Sequence, residues 1–172
     1  MQVRTFNLFT AAALLGILSW IPTSKAAEDT PNSTSAKEQV VSFVNLAKEH
    51  IKAYGKNEAF KEFNNSKGAF VKGPAYIFAI DYKGNMLANG GEPSIVGSNR
   101  YDMQDPKGNY AIRDLIAKGK QGGGWVSYYW NNPITQKIGC KSSYVLPIQD
   151  EFVIGSGYYH EANEKGECTV AK

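Results

Sequence analysis

The chain has 172 residues, 42% of them hydrophobic and 20% charged, with a formal net charge of +3. Two of its 19 basic residues, Arg4 and Lys25, lie ahead of every acidic one, and without them 17 basic residues face 16 acidic ones. That near balance, with the lysines scattered, excludes a nucleic-acid-binding footprint.

Residues 8–21 (LFTAAALLGILSWI) form an apolar run behind Arg4, interrupted only by Thr10, Gly16 and Ser19. A bilayer-spanning helix needs about 20 apolar residues, and this run stops short at Pro22, before the small-residue site Ser24-Lys25-Ala26. The pattern predicts a signal peptide over residues 1–26, cleaved after Ala26 or Ala27; the alternative is an uncleaved N-terminal anchor. Either places the remainder outside the cytoplasm, in the periplasm or secreted. No second apolar run follows, so no membrane span is expected after cleavage. The remaining chain, roughly 145 residues, suits one domain with a real core.

Residues 27–35 are polar and aperiodic, which predicts a flexible leader, so the domain itself is expected over residues 36–172. In residues 37–54, Val40, Val44, Ala47, Ile51 and Tyr54 recur at steps of three and four, the mark of an amphipathic helix, with Ser35 as its N-cap. His50 sits among charged neighbours and reads as a surface residue. Gly55 ends or kinks this helix, and a short second one, capped by Asn57, carries Phe60 and Phe63.

Beyond Gly73-Pro74 the period becomes two. Residues 75–81 and 85–89 predict a β-hairpin around Tyr82-Lys83-Gly84-Asn85. Residues 90–108, rich in Gly, Pro, Ser, Asn and Asp, predict a long loop, and long ordered loops in compact domains are usually functional. Asp102 and Asp105 are candidate metal ligands, but Asp105-Pro106-Lys107-Gly108 fits better a turn that caps the next helix, residues 110–118, which Gly119 would end. Three strands follow, residues 125–130, 141–148 and 152–159, joined by connections short enough for antiparallel pairing. The sum is an α+β fold, a PAS-like five-stranded antiparallel sheet with a long N-terminal helix and a short helix over the ligand face; the helices are expected on one face.

Catalysis finds little support. His50 and His160 have no recognisable nucleophile partner, and Gly155-Ser156-Gly157 lies in a strand, without the flanks of a nucleophile elbow. Its glycines instead allow close approach to the sheet. The chain is therefore expected not to be an enzyme, and no cofactor is implied.

Ligand binding fits better. In the strand Trp125-Val126-Ser127-Tyr128-Tyr129-Trp130, alternation places Tyr128 and Trp130 on one face and Trp125 and Tyr129 on the other. A core needs aromatic residues in any case, so packing and ligand contact both stay open for them. Arg100 in the loop and Lys141 at a strand start are the cations best placed to join them, and an aromatic pocket with a cation suits a small carboxylate. Cys140 and Cys168 predict a disulfide in an oxidising compartment. A zinc site is disfavoured, because two cysteines without a nearby histidine supply too few ligands.

The pieces Tyr76-Ile77-Phe78-Ala79-Ile80-Asp81, Gly84-Asn85-Met86-Leu87-Ala88, Gly97-Ser98-Asn99, Asp105-Pro106-Lys107-Gly108, Gly124-Trp125-Val126-Ser127-Tyr128, Trp130-Asn131-Asn132-Pro133, Lys141-Ser142-Ser143-Tyr144-Val145 and Ile154-Gly155-Ser156-Gly157-Tyr158-Tyr159, in this order, resemble the single Cache domain, second type. That resemblance implies an extracytoplasmic sensor module of signal transduction or chemotaxis, binding a short organic acid and acting through a membrane receptor or histidine kinase. It further implies pocket-forming roles for Tyr76, Phe78, Arg100, Tyr128, Trp130, Lys141 and Tyr144. Where many relatives carry His-Pro, this chain has Asn89-Gly90, and because it stops at Lys172 a freestanding form is expected. The competing expectation is a structural or interaction module with no exchangeable ligand.

Overall fold

The computed structural model describes residues 33–169, so the export segment and the start of the leader lie outside the described residues. Helix α1 covers Ser33–Tyr54 and α2 covers Lys56–Phe63. A small hairpin follows, β1 (Val71–Lys72) and β2 (Ala75–Tyr76), and then β3 (Phe78–Asp81) and β4 (Met86–Asn89). After a 3-10 turn at Pro93–Ile95 come α3 (Ala111–Lys120), β5 (Gly124–Asn131), β6 (Ile138–Ile148) and β7 (Phe152–His160). The main sheet has five antiparallel strands in the order β4-β3-β7-β6-β5. Among the described residues no helix is long and apolar enough to cross a membrane.

The α+β expectation holds, with helices on both faces of the sheet rather than one. Strand alternation sorts the core in two. Ala79, Phe152 and Ile154 face α1 and α2, where they meet Val44, Ala47 and Phe63. Phe78, Ile80 and Val153 face α3, where they meet Ile112, Leu115 and Ile116.

Local departures have local causes. Helix α1 begins at Ser33, inside the stretch read as a leader, and Ser35 lies within it rather than capping it. Gly55, at φ 78°, is the N-cap of α2, which moves Asn57 into the helix. Phe43 is buried, whereas Tyr54 at the helix end is 66% exposed. His50 is half-buried rather than freely exposed: its ring packs on Tyr54 and Phe70, at centroid distances of 4.6 and 4.9 Å. The strand predicted over residues 75–81 is broken at Ile77, because the Ile77 N–H bonds Phe70 O, outside the main sheet. Gly119 does not stop α3 but lies inside it, where an added Cβ would stand 2.1 Å from Val153 Cγ1.

The long loop is more ordered than its composition suggests. It returns beside β4, with Met86 N–H donating to Ser98 O, Gly97 N–H to Met86 O and Arg100 N–H to Gly84 O, so the β4 edge is covered. Asp105 does not cap α3, whose first turn has Tyr110 as N-cap and no side-chain cap bond. Its carboxylate instead accepts from the Lys107, Asn109 and Tyr129 N–H groups, which ties the loop to β5. Burial pushes this carboxyl up, but the bonds from Asn109, Tyr129 and Lys107 outweigh it and hold the carboxyl below its ordinary value. Asp102 pairs with Arg113, and the two aspartates are not gathered for a metal.

Cys140 in β6 and Cys168 in the C-terminal tail form the expected disulfide, with Cα atoms 5.3 Å apart. It closes a loop of sequence separation 28, worth about 3.5 kcal/mol in the chain-entropy picture. Replacing both cysteines by serine is expected to lower the unfolding free energy by about that much and leave a folded domain, as read by urea denaturation.

Candidate functional site

On the α3 face, the middle of the sheet is floored by glycine. A Cβ on Gly155 would stand 2.5 Å from Phe78 Cζ, and one on Gly157 would stand 3.0 Å from Lys141 Cε. The two glycines make room on β7 for side chains from β3 and β6 to lie across the sheet, the close approach that glycine in a strand permits. Gly91 does the same from the loop, since its missing Cβ would fall 2.3 Å from Tyr76 Cε1.

Lys141 lies over this floor, 0% exposed. Its Nζ sits 3.8 Å from the Tyr76 ring centroid, 5.2 Å from that of Tyr159 and 5.7 Å from that of Phe78. No hydrogen-bond acceptor reaches this nitrogen among the described residues. Aromatic faces attract an ammonium but do not replace its hydration, and an unpaired buried charge costs several kcal/mol. Burial therefore pulls the Lys141 ammonium down to about 7.

The surrounding hydroxyls are held by the protein itself. Tyr128 OH and Ser143 Oγ are 2.9 Å apart, and Tyr159 OH donates to Asn131 O at 2.6 Å. Burial raises the Tyr128 and Tyr159 phenols, and Tyr76 well above its ordinary value, so all three stay neutral donors. Tyr128 and Trp130 meet edge to face at 5.7 Å.

Of the predicted residues, Tyr76, Phe78, Tyr128, Trp130 and Lys141 are brought together on this face. Arg100 stands next door. It lines an outer cleft of about 370 Å3 with Glu92, Met103 and Trp130, its Nε donating to Ser98 Oγ at 2.9 Å. Tyr144 is on the opposite face, its ring 5.5 Å from that of Trp125, beneath α1. Tyr159, Ser143, Gly91 and Asn89 were not foreseen. Asn89 is buried and its Oδ1 accepts from the Gly91 and Glu92 N–H groups, which anchors the loop where it crosses Tyr76.

Trp130 separates two spaces. Outside it lies the Arg100 cleft; inside, between Tyr76, Phe78, Tyr128 and Leu115, only about 10 Å3 is free. That is the room of one water at most, so an organic acid requires Trp130 or its neighbours to move. A larger groove of about 920 Å3 runs on the other face between α1 and the β7 end, lined by Phe43, Leu46 and Tyr158, but the unpaired buried cation is not on that side. Ser156 also belongs to the α1 face, paired in register with Tyr144, and is remote from Lys141 chemistry.

A family model described as Single Cache domain 2 matches residues 32–170. Among curated proteins, the chain is similar to the sensor histidine kinase MctS of Rhizobium johnstonii, 38% identical over 85 residues, covering 49% of this chain and 18% of that protein. The chain thus spans less than a fifth of that relative's length. Among solved structures, it is similar to a methyl-accepting chemotaxis protein from Vibrio parahaemolyticus, with TM-score 0.65 and 24% identity over 73% of this chain and 89% of that one. A Cache chemosensory domain described for carboxylic acid recognition matches with TM-score 0.59 and 24% identity, over 75% of this chain and 93% of that one. These two likenesses show the fold.

Proposed function

This chain belongs to the Single Cache domain 2 family, and we propose on that premise that it is an extracytoplasmic sensing domain whose ligand is a short organic acid held by Lys141. The observation that carries the reading is the buried Lys141 ammonium without an acceptor. A carboxylate in the space now filled by Trp130 and Tyr76 would give the ammonium its missing partner, with the Tyr76 and Tyr128 hydroxyls as neutral donors beside it. Arg100, in the adjoining cleft, would meet the acid first and draw it toward Trp130.

The relatives support the output as well. One is a sensor histidine kinase and another a chemotaxis receptor domain, so the ligand-bound state of this domain would be presented to a protein of that class. A ligand transmits only what its differential affinity for two conformations allows, and the closed inner space is one of the two.

A second reading has its own support: with about 10 Å3 free inside, the pocket is filled by its own side chains, as in a structural module without exchangeable ligand. Thermal unfolding against a panel of two- to four-carbon acids separates them. One acid at 100 times its dissociation constant is expected to stabilise the domain by about 2.7 kcal/mol and to change Trp130 fluorescence. No shift from any acid would overturn the sensing reading.

A further inference from the structure

At the same end of β6 as Lys141, but on the opposite, α1 face of the sheet, a second group of chemically active side chains converges. Cys140 pairs in register with His160, the last residue of β7, and Cys168 reaches both from the tail. The donor atoms of Cys140, His160 and Cys168 all lie within 4.8 Å of one another. The sequence argument against a zinc site was the lack of a nearby histidine; antiparallel register supplies one from 20 residues away, with His160 Nε2 3.7 Å from Cys140 Sγ.

The imidazole is already oriented as a ligand. His160 Nδ1 lies 2.8 Å from Glu161 O. A carbonyl only accepts, so Nδ1 carries the proton and Nε2 the lone pair, which here accepts from Ser142 Oγ at 2.8 Å and which a metal would take over from that hydroxyl. A backbone carbonyl fixing the remote ring nitrogen is the usual support of a metal-bound histidine. Cys140 and Ser142 are buried in β6 and paired with strands on both sides, whereas Cys168 belongs to a tail without regular structure.

We propose that, when the disulfide is reduced, Cys140, Cys168 and His160 form a binding site for a zinc-class d10 ion. Reduction is an exchange with an external dithiol: two electrons pass to the Cys140–Cys168 bond, the dithiol becomes a disulfide, and its two protons end on the new thiols. Zn2+ then displaces those two protons, and two thiolates with one neutral imidazole leave the fourth tetrahedral position to water. Zn–S bonds of about 2.3 Å and a Zn–N bond of about 2.0–2.1 Å place tetrahedral donors about 3.5–3.8 Å apart, so the two sulfurs must separate by a movement of Cys168 while His160 Nε2, 3.7 Å from Cys140 Sγ, is already near its place. The disulfide and the metal use the same sulfurs, so the two states exclude each other. The tail is tied to β6 in both.

The test uses the full chain reduced with a phosphine under inert gas and titrated with Co2+. One Co2+ per chain is expected, with thiolate-to-cobalt charge-transfer and tetrahedral d–d bands that Zn2+ abolishes and that the oxidised protein never shows. His160→Ala is expected to weaken Co2+ by roughly tenfold or more, with His160→Gln as a variant of similar bulk. Zn2+ should also protect both thiols from alkylation, read by mass. Absence of the bands in reduced protein, equal binding by oxidised protein, or unchanged affinity in both His160 variants overturns the proposal. Should reduction unfold the chain, Zn2+ must restore the native circular dichroism, and failure to do so overturns it equally.

Discussion

Lys141→Met is expected to abolish acid-induced stabilisation completely while leaving the free domain at least as stable as the parent. Methionine keeps the length and bulk of the lysine stem, so the aromatic walls of Tyr76, Phe78 and Tyr159 retain their contacts. The charge it removes has no acceptor, and replacing unpartnered buried charge by an apolar side chain of similar volume is typically neutral or stabilising, by up to about 4 kcal/mol. In the carboxylate complex the sign reverses, because the variant leaves the acid buried without its cation, a loss of about 3–5 kcal/mol, or at least a hundredfold in affinity. Isothermal titration and urea unfolding of the same preparation give both numbers. A variant that still binds the acid with parental affinity would place the anion elsewhere, and a variant that merely unfolds would show that Lys141 is structural.

Acid affinity is expected to fall as pH rises above about 7, by up to tenfold per unit, while the ligand-free domain grows more stable over the same range. Both trends come from one group in the disulfide form of the protein. Burial lowers the folded Lys141 ammonium to about 7 from an ordinary 10.5. Between those values the unfolded chain keeps a proton that the folded chain has released, so the unfolded state binds more protons and stability rises with pH, by at most about 1.4 kcal/mol per unit. A carboxylate binds the protonated form, so above pH 7 complex formation must take a proton back and the apparent affinity drops. Thermal unfolding from pH 6 to 9, with and without the acid, checks both slopes. A free domain that loses stability through this window would contradict the assignment to Lys141.

The sheet itself was legible, because β-branched and aromatic runs with short connections leave few alternatives to an antiparallel meander. The site was legible only within a strand. Alternation rightly put Tyr128 with Trp130 and apart from Trp125. The same rule separates Lys141 from Tyr144, three residues on, and the inclusion of Tyr144 in the pocket overlooked that parity. What parity cannot supply is register between strands. Tyr159 stands beside Lys141, and His160 beside Cys140, only because β6 and β7 pair at those positions. His50 was misread for a related reason: helix periodicity shows which face it is on, but not that Phe63 and Phe70 close over that face. Arg100 does lie in the loop, whose bonds to β4 place it in the cleft outside Trp130 rather than beside Lys141.

Trp130, which stands between that cleft and the inner space, would act as the door of the proposed site. If the proposed site holds, how quickly an acid arrives and departs would depend on how often the indole swings aside, and how tightly it is held on Lys141 together with what that displacement costs. A smaller residue at position 130 would shorten the lifetime of the complex and quicken its formation together. On the proposed reading the indole would thus set the interval over which the domain averages a changing supply of acid, and a change there would also move the concentration at which it responds.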